Sequence, residues 1–270
     1  MRLAYTTLAC PEWTLEQVID AAQQNGYEGL ELRLLDGNVI GPDLPTAERR
    51  RVRNALAAAG LPVICLDTSV RIAQPDAAAR AAQIADARAL LELAAEWGAP
   101  LIRVFAGPPA GTAETEALAA AAATLAPIAA YGQTLGVAVA LETHDAFCHS
   151  TAVAQVLDAV PAAGALWDLL HPYRVGETTA ETLGRLQGRV LHVHIKDGKP
   201  PADGGSNWDL TLLGEGRVPT RDILAALHAA GYNGWIAVEW EKKWHPELAA
   251  PEIALPQHAA VLRRYLADIQ

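Results

Sequence analysis

Short apolar runs alternate along this chain with longer segments whose apolar residues recur at three- and four-residue spacing, and the pair repeats about eight times. The short runs are RLAYTTLA, GLELRL, PVICLDTSVRI, APLIRVFAG, VAVALETH, AGALWDLLH, VLHVHIKDG and GWIAVEWE. Runs of this length and hydrophobicity predict strands buried on both faces. The segments between them, such as TLEQVIDAAQQNG and DAAARAAQIADARALLELAAEWG, predict amphipathic helices. Gly26, Gly60, Gly98, Gly136 and Gly231 stand where helices stop, which suits a left-handed C-cap. Strict β–α alternation predicts a parallel sheet, and eight units are the number that closes it. The expected fold is therefore α/β, a single (β/α)8 barrel over residues 1–270, with no linker or composition break to divide it. An open doubly wound sheet would normally carry a glycine-rich turn after its first strand, and here that turn reads TTLACPEWT.

Four polar residues end four successive runs in the second half: Glu142, Asp168, His194 and Glu239. In a parallel barrel the C-terminal strand ends form the face that carries chemistry. Three carboxylates and one imidazole make a mixed oxygen–nitrogen set for a divalent cation such as Mn²⁺, Mg²⁺ or Co²⁺. A single Glu at a strand end is more often solvated or ion-paired. Four in consecutive units resist that explanation, because a carboxylate inside an apolar strand costs several kcal/mol unless paired or metal-bound.

Side chains two residues apart on a strand share a face. If His194 and Glu239 face the barrel axis, Lys196 and Glu241 do too, one step nearer the mouth; His144 stands in the same relation to Glu142. His171 follows Asp168 just beyond its strand. His144, His171, Lys196 and Glu241 are thus the expected substrate-facing rim. His192 reads as a hydrogen-bonded histidine behind the ligands. Glu31, Asp67 and Arg103 also sit on strands, as ion pairs inside the barrel or as substrate contacts. His149, His228, His245 and His258 read as ordinary polar positions in loops or helices.

The segment DGKPPADGGSNWDLTLLGEGRVPT after the seventh strand reads as a functional loop or lid, with Trp208 as an apolar platform for a sugar face. Its LLGEGR stretch has two glycines but no following Lys-Ser/Thr, which is weak support for a phosphate loop.

Composition narrows the chemistry. The formal net charge is −10, without a basic run to track a phosphate backbone, which disfavours nucleic acid as a partner. Cys10, Cys65 and Cys148 are widely spaced with no CxxC, which argues against a disulfide scaffold or thiolate zinc site and suits a reducing cytoplasm. No uninterrupted apolar run approaches the ~20 residues of a membrane span, and the N-terminus lacks the apolar core of a signal peptide. A soluble cytoplasmic protein with no membrane partner is expected.

The motifs LETH, WDLLH, HVHIKD, LLGEG and VEWE, in this order, resemble the xylose isomerase-like TIM-barrel superfamily of sugar isomerases and epimerases. They cover roughly half the chain; the first four units resemble the superfamily only through general pattern and GLELRL. The resemblance to its ketose 3-epimerase branch implies that Glu142, Asp168, His194 and Glu239 bind one divalent metal, Mn²⁺ first, with Mg²⁺, Co²⁺ or Zn²⁺ open. It implies that Glu142 and Glu239 also move the proton beside a ketose or keto-polyol carbonyl, through an enediolate, and that His171 touches substrate. It further suggests a homo-oligomer. Ketose epimerases usually carry an Arg in the segment after the metal-binding His, where this chain has IKDGKPP. HIKD is closer to the inosose dehydratase-like branch, so the alternative is a lyase in which His144 or Lys196 helps expel a hydroxyl. An endonuclease IV-like hydrolase needs more histidines on earlier strands, and the first histidine here is His144. A non-catalytic sugar-binding barrel is the alternative outside enzymes.

Overall fold

The computed structural model describes residues 1–269. The strands are β1 (Arg2–Thr6), β2 (Gly29–Leu32), β3 (Leu34–Leu35), β4 (Asn38–Val39), β5 (Val63–Arg71), β6 (Leu101–Phe105), β7 (Ala138–Glu142), β8 (Gly164–Asp168), β9 (Val190–Ile195), β10 (Asp197–Lys199), β11 (Asp209–Thr211) and β12 (Trp235–Val238). The helices are α1 (Leu15–Asn25), α2 (Thr46–Ala59), α3 (Ala77–Trp97), α4 (Glu114–Leu135), α5 (Ser150–Ala159), α6 (Leu170–Arg174), α7 (Thr179–Leu186), α8 (Thr220–Ala229) and α9 (Pro251–Ile269).

Eight strands close the barrel in the order β1-β12-β9-β8-β7-β6-β5-β2, all parallel. These are the eight apolar runs read from the sequence, and the alternating helices pack their apolar faces around them, as a parallel sheet buried on both sides requires. Closure pairs the two ends of the chain, with Leu3 opposite Ile236 and Tyr5 opposite Val238. The remaining strands form two small antiparallel ribbons, β3 with β4 and β10 with β11.

Local signals set the helix limits. Thr14 and Thr178 each form a reciprocal capping box, with Gln17 and Glu181 respectively. Gly26, Gly60, Gly98 and Gly136 end α1 to α4 in the left-handed conformation, whereas α8 ends on Ala230 and Gly231 turns the chain one residue later. By length and composition alone α4 is long and apolar enough to cross a membrane, although Thr124, Gln133 and its two glutamates interrupt the apolar run. In the barrel it buries Ala121, Leu125, Ile128 and Gly132. A Cβ on Gly132 would sit 2.5 Å from the Val137 carbonyl oxygen, so the glycine permits the close approach of α4 to the start of β7.

Inside the barrel, Ala4, Ile64, Cys65, Leu101, Ala140, Leu166 and Ala237 form an apolar plug separate from the outer core. Two residues further along four of these strands the interior turns ionic, at Arg103, Glu142, Asp168 and Glu239. The plug closes the bottom and the charged layer faces the C-terminal mouth.

Candidate metal centre

Glu142 and Asp168 end β7 and β8, His194 stands one residue before the end of β9 and Glu239 just after β12, and the register brings them level. Asp168 is opposite His194, and His194 is opposite Ala237, two residues before Glu239. Each of the four offers a ligand atom, and these atoms all lie within 4.8 Å of one another. His194 Nδ1 is 3.2 Å from Glu142 Oε1 and 3.4 Å from Glu239 Oε2. Asp168 is aimed by its own backbone surroundings. Its Oδ1 accepts the N–H groups of Leu170 (2.8 Å) and His171 (3.2 Å), while its N–H donates to Thr143 Oγ1 at 3.0 Å. Oδ2 is thereby left to face the site.

The donors suit a divalent cation. Glu142 Oε2, Asp168 Oδ2 and Glu239 Oε2 are buried and make no oriented hydrogen bond, although cationic side chains stand close. Buried carboxylate oxygens without such partners are costly, and a metal bound by three carboxylates and one imidazole would satisfy them.

Charges surround these groups on both sides. Arg103 pairs with Asp67, and its Nε lies 3.2 Å from Glu142 Oε2. Lys196 Nζ is 2.5 Å from Glu239 Oε2 and 3.0 Å from Asp168 Oδ2, and it also contacts Glu241. Burial works to raise the Glu142 carboxyl, but Arg103 and His144 outweigh it and hold the group below the usual range. Burial likewise opposes ionisation of Glu239, and Lys196 with His194 holds it well below the usual range. For Asp168 burial prevails over Lys196 and pushes the carboxyl up to about 6.

The rim residues divide. His171 is buried, its Nε2 is 3.7 Å from Asp168 Oδ2, and neither ring nitrogen has a hydrogen-bond partner. Burial, then Lys196 and His144, keeps this imidazole neutral by holding its pKa well below the ordinary value. His144 packs edge-on against it with ring centroids 4.8 Å apart, and its Nδ1 is 2.8 Å from Asp145 Oδ1. Glu241 shares the Lys196 ammonium, so Lys196 is spent on carboxylates rather than reaching freely toward the mouth. Trp208 stacks edge-on with Tyr173 at 5.8 Å and is half-buried beside the β10–β11 ribbon.

His192 is hydrogen-bonded as expected, with Nε2 2.6 Å from Glu31 Oε2, and the other Glu31 oxygen is 2.8 Å from His194 Nε2. The glycines of LLGEGR hold an internal anion: Asp197 accepts the N–H groups of Gly198, Gly214, Gly216 and Val218 at 2.8–3.1 Å. A Cβ on Gly216 would strike that carboxylate. His258 departs from the expectation of an ordinary polar position, being 1% exposed in α9 with Nδ1 2.7 Å from the Ala254 carbonyl oxygen.

Sequence reasoning passed over Asp197 and Arg33. Arg33, buried at the mouth, donates from Nη1 to the Asp67 carbonyl oxygen at 3.3 Å. The period-two rule carried a signal for it, because Arg33 lies two residues beyond Glu31.

Residues 19–265 match the family model described as xylose isomerase-like TIM barrel. An inosose dehydratase of Lacticaseibacillus casei is 33% identical over 89 residues, 28% of this chain and 30% of that protein. A fructoselysine 3-epimerase of Escherichia coli O157:H7 is 26% identical over 125 residues, 44% of each. The chain thus spans less than half the length of these curated relatives. A crystal structure of the IOLI protein with a bound zinc atom superposes with a TM-score of 0.83 at 18% identity, over 100% of this chain and 99% of that one, a likeness of fold. With the closed barrel and the family match agreeing from α1 to α9, this chain belongs to the xylose isomerase-like TIM-barrel family.

Proposed function

We propose that this chain is a divalent-metal-dependent isomerase or epimerase acting on a ketose or keto-polyol, with Glu142, Asp168, His194 and Glu239 holding the metal, Mn²⁺ first. The observation that carries the proposal is the convergence of four buried donors within 4.8 Å, three of them with a carboxylate oxygen left without an oriented hydrogen bond. When bound, a divalent ion supplies Lewis-acid polarisation of a carbonyl and a neighbouring hydroxyl. Barrel closure uses β1 and β12 from the two ends of the chain, which supports reading residues 1–270 as one catalytic domain.

Glu142 and Glu239 stand on strands that flank β8 and β9, so they approach the mouth from different sides. Both are held below the usual carboxylate range and are bases at neutral pH. Glu142 removes the proton beside the carbonyl. The Lys196–Glu239 pair, in contact at 2.5 Å, returns one to the opposite face of that carbon. The neutral His171, with both ring nitrogens unpartnered, and His144 beside it orient substrate hydroxyls.

A lyase is the second reading. The inosose dehydratase relatives favour it, as does Lys196 in the HIKD segment where ketose epimerases carry an Arg. Both reactions begin with the same proton abstraction. Incubating ketoses, inososes and 3-keto-glycosides with the Mn²⁺-loaded enzyme in D₂O separates them. Deuterium at the carbon beside the carbonyl with an otherwise unchanged formula marks an isomerase or epimerase. Loss of water with new enone or dione absorbance marks the lyase.

A further inference from the structure

We infer that Glu31 is a positioning residue for the metal centre: from the opposite wall of the barrel it holds His194 through Nε2, so that Nδ1 is the nitrogen presented to the metal. The inference rests on the metal-centre reading above.

Glu31 lies on β2 within the apolar run GLEL, and it, His192 and His194 are each 0% exposed. Its two oxygens are divided between two rings, Oε1 to His194 Nε2 at 2.8 Å and Oε2 to His192 Nε2 at 2.6 Å. An ionised carboxylate only accepts hydrogen bonds, so each ring must carry its proton on Nε2. Whatever the charge of His194, its nitrogen available to a metal is then Nδ1. That nitrogen points to Glu142 Oε1 and Glu239 Oε2, at 3.2 and 3.4 Å.

The second ring stabilises the arrangement. His192 and His194 stand nearly perpendicular, at 83° with centroids 5.4 Å apart. Rotating the Glu31 carboxylate to release one ring would therefore break its bond to the other. His192 makes no other side-chain hydrogen bond, since its Nδ1 is buried without a partner. Its polar contact is thus devoted to holding Glu31. A carboxylate behind a ligating histidine fixes the tautomer and orientation of the ring and raises its basicity, and losing it typically weakens metal binding by about 10- to 100-fold.

Glu31, His192 and His194 also satisfy the spacing of a metal site by themselves. The contacts of 2.6 and 2.8 Å have the length of hydrogen bonds, and His194 Nε2 cannot both donate to Glu31 and ligate a second ion.

Two measurements test the inference. Calorimetric titration of metal-stripped protein with Mn²⁺ should give one ion per chain, and Glu31→Gln should bind about 10- to 100-fold more weakly at unchanged stoichiometry. In the Zn²⁺-loaded wild type with ¹⁵N-labelled histidine, long-range ¹H–¹⁵N spectra should show His194 protonated on Nε2 and metallated on Nδ1. This second readout needs no variant, so a Glu31→Gln protein that fails to fold does not shelter the inference. Metallation on Nε2, wild-type affinity in Glu31→Gln, or two ions per chain would each overturn it while leaving a metal centre in place. A wild type that binds no divalent ion would overturn the metal centre and this inference together.

Discussion

Lys196 is wedged against Glu239: its Nζ lies 2.5 Å from Oε2, and the two side chains are 2% and 4% exposed. Asp168 and Glu241 share the same ammonium, so one buried cation balances three carboxylates, two of them buried and Glu241 partly open to the mouth. Breaking a buried ion pair by removing one partner typically costs about 3–5 kcal/mol. Lys196→Met should lower unfolding stability by that order in urea melts of metal-stripped protein. It should also cut kcat by about 10²-fold or more, because the Lys196–Glu239 pair proposed to return the proton is lost. Unchanged stability would show that the carboxylates find other partners.

The proposed proton-transfer roles separate from metal binding. Glu142→Gln and Glu239→Gln each keep a carbonyl oxygen for the metal and lose the base. Turnover should fall by about 10²- to 10⁴-fold in either variant, the usual range for a general base. Mn²⁺ occupancy, measured by metal analysis on the same samples, should fall far less. A chelator should abolish activity, and added Mn²⁺ or Co²⁺ should restore it. Near-normal turnover in both variants at full occupancy would remove these two residues from the chemistry.

Asp197 ties the loop after β9 to the strand end that carries Lys196. Its carboxylate receives four backbone N–H groups, two of them from Gly214 and Gly216. Asp197→Asn turns an N–H donor toward those amides and removes the charge. A hydrogen bond to a charged group contributes about 1.5–3 kcal/mol, so a stability loss of about that size is expected. The residues from Pro200 to Trp208 should become more sensitive to limited proteolysis. KM should rise more than kcat falls, because the loop borders the mouth rather than the donors. Unaltered proteolysis would show that the ribbon is held by other contacts.

His258 makes stability pH-dependent in a predictable direction. Burial holds its pKa down at about 4, below the ordinary 6.5, so the folded protein keeps the ring neutral where the unfolded chain protonates it. Between these values the unfolded state binds more protons, and stability from this residue is lost as pH falls through 6.5 toward 4. The loss amounts to at most roughly 3–4 kcal/mol, from about 1.4 kcal/mol for each pH unit between the two values. His258→Leu removes the titrating ring from its place against Trp240. The stability difference between wild type and variant should therefore shift in favour of the variant between pH 7.5 and 4.5. A constant difference over that interval would rule out His258 as the source.

The sequence by itself determined the barrel and which side chains of its last four strands share a face. Eight apolar runs with amphipathic segments between them admit few arrangements, and a period of two then puts Lys196 on the face of His194 and Glu241 on the face of Glu239. Both are local properties of the chain, legible without knowing which strands meet. Only the tertiary structure decided the partners. Glu31 and His192 are 161 residues apart, and they meet because closure and strand register bring β2 and β9 side chains together across the interior. The sharing of Lys196 among Asp168, Glu239 and Glu241, and the filling of the LLGEGR amides by Asp197, likewise depend on loops returning over the mouth. The burial of His258 follows from the packing of α9 against Trp240, which its place in the chain does not reveal. Periodicity tells which way a side chain points, whereas the charge that waits there comes from another part of the chain and is set by packing.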